Sequence, residues 1–338
     1  MILTTLIFGF LFGALLQYAH LNRFNTISGM ATLEDFTVAK ALAVAIGLGA
    51  ILLNVEIALG LASFHVKPLL LGGIVIGGLI FGVGMAILGY CPGTLAVSLG
   101  EGSIDALTGI IGGLLGGVVY TLVLPSIHTI LGPDLGTISL ASLLGSGRIL
   151  FFILVLLFGL VLIWAAFRLD RKEHGKDRKW LYAGIGLAVL NLVVFSRYGA
   201  NRPIGASTSY PYTADLLTGV TANAYFEKVM KPGHWELIFL GGAFLAGLII
   251  SLIKGEFRFA LIHSRWEKYK GSSSMKRIIW AFTGGFILIF GARMAGGCTS
   301  GHILSGGMQI AVSSLLFGVF VFTGLLLTGR FFYPRNKL

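Results

Sequence analysis

Long apolar stretches alternate with short polar connections along this chain, at 2–20, 36–58, 69–88, 104–124, 149–168, 180–196, 235–253, 277–294 and 310–329. Each is close to the roughly 20 residues with which a helix crosses a bilayer. Between them lie four segments too polar or too short to span: NRFNTISG (22–29), CPGTLAVSLGEG (91–102), NRPIGASTS (201–209) and CTSGHILSGG (298–307). Irregular backbone at membrane depth survives only where it is buried in protein or lines a polar cavity. The pattern predicts an all-α polytopic membrane protein of about nine transmembrane helices plus four short re-entrant helices.

The short segments are not independent of one another. GMAILGYCPGTLAVSLGEG around Cys91 superposes on GARMAGGCTSGHILSGG around Cys298 at one fixed offset, pairing Gly84 with Gly291, Gly89 with Gly296 and Ser98 with Ser305. More weakly, Asn22-Arg23 and Ser28 pair with Asn201-Arg202 and Ser207. Each half then carries four spans and two short segments, and one extra span joins them. Four spans return the chain to its starting side and the fifth crosses it, so the second half enters from the opposite face. The expected organisation is an inverted repeat: 1–130 the first copy, 131–179 a linking helix with a basic loop, 180–338 the second copy. Internal repeats with broken helices at the membrane midplane are a transporter architecture.

Composition sharpens this reading. Apolar residues make up 56% of the chain and charged residues 12%, which leaves no charged surface for a large soluble enzyme. Glycine, at 49 of 338 residues, is about twice its usual share. Pairs such as Gly73/Gly77, Gly78/Gly82, Gly112/Gly116 and Gly113/Gly117 have the small-xxx-small spacing of closely packed membrane helices. The net charge of +11 points to topology rather than nucleic acid. It gathers in two short loops: Arg168, Arg171, Lys172, Lys176, Arg178 and Lys179, then Lys254, Arg258, Arg265, Lys268, Lys270, Lys276 and Arg277. Such loops are cytoplasmic by the positive-inside rule. The N-terminus is then expected outside, and the C-terminus, with Arg330, Arg335 and Lys337, inside. No Lys or Arg precedes Arg23, so the first apolar stretch reads as a retained span rather than a cleaved signal.

Half-helices dipping in from both faces bring helix N-termini, with their free N–H groups and positive dipole ends, toward the midplane. That makes an anion site with no need of a buried lysine. A thiol adds a weak donor on a soft, polarizable sulfur, suited to a sulfur-bearing anion held weakly and passed on. Cys91 and Cys298 are therefore the leading path residues. Asn22, Asn25, Tyr90, Thr94, Thr299, Ser300, His302, Arg202 and Arg293 are candidates beside them. The histidines near the thiols lack zinc-ligand spacing, and no metal or cofactor is expected. A covalent mechanism would need His302 as base for Cys298. A thiol enzyme, a scaffold for sulfur relay, and a transporter of persulfide or selenium compounds remain the alternatives.

Through GYCPGTLAVSLGEG and GARMAGGCTSGH, and more loosely along nearly its whole length, the chain resembles the YeeE/YedE family of bacterial inner-membrane proteins. The resemblance implies an hourglass-like inverted-repeat fold and import of thiosulfate, handed along conserved cysteines through S–H···S contacts. Cys91 and Cys298 match two of those positions. Thiosulfate-transporting relatives carry a third cysteine in the first short segment, where this chain has Asn22 or Asn25 instead. The resemblance also implies a separate cytoplasmic sulfur carrier of the TusA type as partner.

Overall fold

The computed structural model describes residues 2–145, 147–173 and 177–334, with Arg148 described by its backbone. Of the expected basic positions, Lys176, Arg335 and Lys337 lie outside the described residues. The first half holds α1 (Ile2–Tyr18), α2 (Phe24–Ala31), α3 (Thr37–Ala58), α4 (Leu71–Leu88), α5 (Pro92–Gly100) and α6 (Ile104–Ile127). A short α7 (Leu140–Leu144) and the long α8 (Arg148–Glu173) follow. The second half holds α9 (Lys179–Phe195), α10 (Ser209–Thr218), α11 (Ala224–Ile253), α12 (Ser264–Lys270), α13 (Ser274–Met294), a π-helix (Thr299–Gly306) and α14 (Val312–Phe332). Among the described residues, seven helical stretches are long and apolar enough to cross a membrane. Helices α1 and α9 are apolar with 17 residues each, the short end of what spans. The protein is an all-helical, multi-pass membrane protein.

Two elements depart from the sequence reading. The third short helix begins at Ser209 rather than spanning 201–209. Pro203 carries no N–H and biases Arg202 away from helix, and Asn201 takes a left-handed φ of 48°, so 201–208 runs irregularly into α10. Helix α11 starts at Ala224 instead of 235, because the Asn223 side chain accepts the Phe226 N–H at 2.8 Å and supplies a cap.

Contacts among the connections sort them onto two faces. On one, Asn25 Nδ2 donates to Ser264 Oγ at 2.9 Å, Arg265 pairs with Glu34 at 2.7 Å, and Arg23 pairs with Glu256 at 3.3 Å. Both basic loops belong to this face, where Lys40 pairs with Asp170 and Glu173. On the other, the Leu69 N–H donates to Gly136, Ser139 bridges Ala311, and the His65 N–H donates to Gln309 Oε1. Helix α8 lies at the periphery against α3, with 17% of its apolar window buried, and turns Ile149, Val161 and Trp164 outward.

The helix pairings are unchanged when the two halves are exchanged. Helix α1 packs on α11 as α9 packs on α3; α4 packs on α14 as α13 packs on α6; α4 and α13 pack on each other. The α4–α13 crossing repeats this residue by residue. A Cβ added to Gly84 would sit 2.4 Å from the Leu288 nitrogen, and one on Gly291 would sit 2.5 Å from the Phe81 nitrogen. Gly77 faces the Ala295 nitrogen at 2.7 Å, and Gly284 faces that of Leu88 at 2.8 Å. These are the same two contacts under the offset that places Cys91 on Cys298. Gly84→Val and Gly291→Val should therefore each destabilise by overpacking, about 1–3 kcal/mol and similarly. Melting of the detergent-purified variants checks this; wild-type melting of either would refute the close crossing.

Candidate substrate path

Each cysteine occupies the same backbone break. Helix α4 stops at Leu88, Gly89 turns left-handed at φ 79°, and Cys91 is extended ahead of α5. Helix α13 stops at Met294, Gly296 turns left-handed at φ 73°, and Cys298 is extended ahead of the π-helix. Glycine alone takes that left-handed turn without strain. Thr94 ties the first break, accepting the Cys91 N–H at 2.8 Å and donating to the Cys91 carbonyl at 3.0 Å. Cys298 is buried with its Sγ 3.2 Å from Ser300 Oγ and is followed by buried Thr299 and Ser300; Cys91 is half-buried.

Tyr210, which the sequence reading did not single out, ties α10 to the first break. Its hydroxyl donates to the Pro92 carbonyl at 3.3 Å, directly after Cys91. The paired serines hold the short segments in matching ways. Ser98 donates to the Asn22 carbonyl at 2.7 Å, and Ser305 to the Ile204 carbonyl at 3.3 Å. Asn22 is fully buried, with Nδ2 on Ser98 Oγ at 3.3 Å and Oδ1 unpaired, so it lies on the α5 side of the site. Asn25 points elsewhere: its amide clasps Ser264 and the Arg265 N–H.

On the Cys298 side the polar groups form one cluster. Arg293 Nε donates to Tyr225 Oη at 2.7 Å, and its NH1 donates to the hydroxyls of Thr208 at 3.1 Å and Ser207 at 3.4 Å. Arg202 lies over Trp235, 4.2 Å from the ring centre, and 3.6 Å from Glu236, which accepts the Thr208 N–H. Both arginines thus anchor the irregular stretch before α10. Lys67 reaches in from the connection between α3 and α4, donating to the Gly296 carbonyl at 2.6 Å. The sequence reading needed no lysine at this site, and the fold brings a half-buried one to it. Loss of water around its ammonium pulls Lys67 down to about 8, opposed by Cys298 and Glu236 and helped by Arg293 and Arg202. No local pattern announces Lys67; only the fold brings it to Gly296.

His302 is committed to structure. Its Nε2 lies 2.9 Å from the Ala295 carbonyl and its Nδ1 3.0 Å from Ser314 Oγ. A carbonyl only accepts, so Nε2 carries the proton and the Nδ1 lone pair faces Ser314, leaving no free base for Cys298.

On the opposite face, Tyr90 adjoins an equally buried cluster. Asp105 receives Arg277 NH2 at 2.6 Å and Nε at 3.1 Å, the Tyr90 hydroxyl at 3.2 Å, and His263 Nε2 at 3.1 Å. Arg277 is fully buried, although it reads in sequence as part of a solvated basic loop. It also donates to the Leu88 carbonyl at 2.7 Å, capping α4 where His302 caps the matching Ala295 of α13. A cavity of about 450 Å³ opens here, reaching Tyr90 and Ser98 past Arg23, Glu101, Arg258 and His263.

Broken apolar helices whose matching breaks meet around polar side chains define a multi-pass membrane transport protein. The chain belongs to the Sulphur transport family, which matches residues 21–327. Membership places it among transport proteins rather than enzymes. It is also similar to the protein named Thiosulfate transporter TsuA from Spirochaeta thermophila, with 25% identity over 96% of this chain and 97% of that protein.

Proposed function

We propose that the chain is a permease of the bacterial inner membrane that imports thiosulfate, or a closely related small sulfur anion, along a path lined by Cys298 and then Cys91. The observation that carries this reading is the matching break at the two thiols, each an extended cysteine two residues after a left-handed glycine. Two soft donors at equivalent depths suit a sulfur anion passed from one half to the other. The similarity to a thiosulfate transporter supports the cargo. The basic loops lie in the cytoplasm, the N-terminus outside and the C-terminus inside. Residues 1–130 and 180–338 are inverted copies joined by 131–179, giving nine crossings; the exchange-symmetric packing of α1, α3, α4 and α6 on their counterparts supports this.

In this reading Thr299, Ser300 and Arg293 line the outer approach, Tyr90 and Asn22 the inner one, and Asn22 stands where relatives have a third cysteine. The cavity beside Arg258 and His263 releases cargo toward a TusA-like carrier. Cells lacking their own thiosulfate uptake test the cargo. Expression should confer accumulation of sulfur-labelled thiosulfate that excess unlabelled thiosulfate suppresses and excess sulfate does not. Suppression by persulfide or selenium analogues alone would reassign the cargo.

A further inference from the structure

The outer cluster carries more positive charge than its packing uses. The groups that face Lys67 are Cys298, one carboxylate, Glu236, and two further cations, Arg293 and Arg202. Arg202 has Glu236 at 3.6 Å. Arg293 bonds neutral hydroxyls, and Lys67 bonds a neutral carbonyl. Arg293 is buried and Lys67 half-buried, and among the described residues both have neutral hydrogen-bond partners, so an anion between them would meet uncompensated positive charge.

The seat of Lys67 is shaped for its ammonium. A Cβ on Gly297 would stand 2.0 Å from Nζ, and one on Gly301 would stand 3.0 Å away. Two positions flanking the Cys298 thiol are therefore glycine where any side chain would push the lysine out. The Gly296 carbonyl takes one of three N–H donors. Two remain for a ligand beside the sulfur.

We propose that Lys67 is the charge partner of the transported anion at the outer thiol: its ammonium holds the oxyanion end of a doubly charged sulfur anion while the terminal sulfur meets Cys298. The inference rests on the proposed thiosulfate-type cargo and assigns the recognition of its charge. It makes the outer site selective for dianions over monoanions of the same shape. A lysine that only capped the end of α13 would show no such preference.

Uptake by intact cells expressing the full chain separates these roles. The probes are labelled thiosulfate, a dianion, and methanethiosulfonate, a monoanion with the same terminal sulfur, as competitor. Lys67→Met keeps the bulk of the side chain and loses its charge. It should raise KM for thiosulfate roughly tenfold or more and leave inhibition by methanethiosulfonate within about threefold of wild type. Lys67→Arg should retain affinity. As external pH rises from 7 to 9, wild-type affinity should fall about tenfold, because the charged lysine binds and its neutral form does not. Arg stays charged, so the Lys67→Arg profile should stay flat. The groups facing the ammonium through this range are Arg202, Glu236, Arg293, Cys298 and His302. Equal weakening of both anions in Lys67→Met, or a falling profile in Lys67→Arg, would overturn the inference while leaving the cargo intact. Wild-type cells that take up no thiosulfate would overturn the cargo reading and this inference with it.

Discussion

Asp105→Ala should leave little properly folded protein in detergent, a larger stability loss than either glycine-to-valine change at the α4–α13 crossing. Asp105 and Arg277 are both fully buried, and the carboxylate takes two donors from the guanidinium while also receiving Tyr90 and His263. Removing the acid leaves a buried guanidinium with two backbone carbonyls, those of Leu88 and Ile87, and the faces of Phe24 and Trp266. Breaking such a pair from one side costs about 3–5 kcal/mol, because an uncompensated charge stays behind. Replacing both partners with apolar residues of similar size avoids that residue of charge. The Asp105→Ala/Arg277→Met double variant should therefore melt higher than Asp105→Ala alone, yet below wild type, since the carbonyl cap of α4 is still lost. Thermal melting and size-exclusion profiles of the three proteins check this order. An Asp105→Ala protein that melts with wild type would mean that the cluster beside Tyr90 does not hold α4, α6 and α13 together.

Cys298→Ala should abolish most thiosulfate uptake while leaving expression and melting near wild type. The thiol fills a small buried space beside Ser300, so its loss costs little packing. It does cost the soft donor at the deepest part of the outer cluster. Losing one hydrogen bond to a charged ligand weakens binding by about 1.5–3 kcal/mol, roughly ten- to a hundredfold or more. Cys298→Ser restores a donor but a hard one, and uptake should fall between wild type and alanine. Cys91→Ala should behave alike if the halves share the work, although Cys91 is half-buried and its backbone is held independently by Thr94. Initial-rate uptake in cells, normalised to folded protein, measures all three. Full activity in Cys298→Ser alongside loss in Cys298→Ala would show that any hydroxyl serves and that sulfur softness is irrelevant.

The spans and both cysteine breaks were legible because their signals are local. Runs of apolar residues set the helices, and glycines next to Cys91 and Cys298 mark where a left-handed turn ends them. The same locality explains what stayed hidden. Tyr210 sits in a helix that sequence placed about two turns too early, since Pro203 and the left-handed Asn201 delay its start. Lys67 belongs to an ordinary polar connection and gains meaning only from the glycines around residue 298. Arg277 counted as one more basic loop residue until the fold set it against Asp105. His302, four residues after a thiol, looked like a base; its two nitrogens are instead taken by Ala295 and Ser314. In each case a partner distant in sequence decides the role.

Purified protein in liposomes tests the central claim with no cellular partner present. Wild type and the Cys91→Ala/Cys298→Ala double variant are loaded with unlabelled thiosulfate and offered labelled thiosulfate outside. The account predicts exchange by wild type well above empty liposomes, and exchange by the double variant no faster than empty liposomes. A folded double variant that exchanges label as fast as wild type would contradict a path that runs through the two thiols.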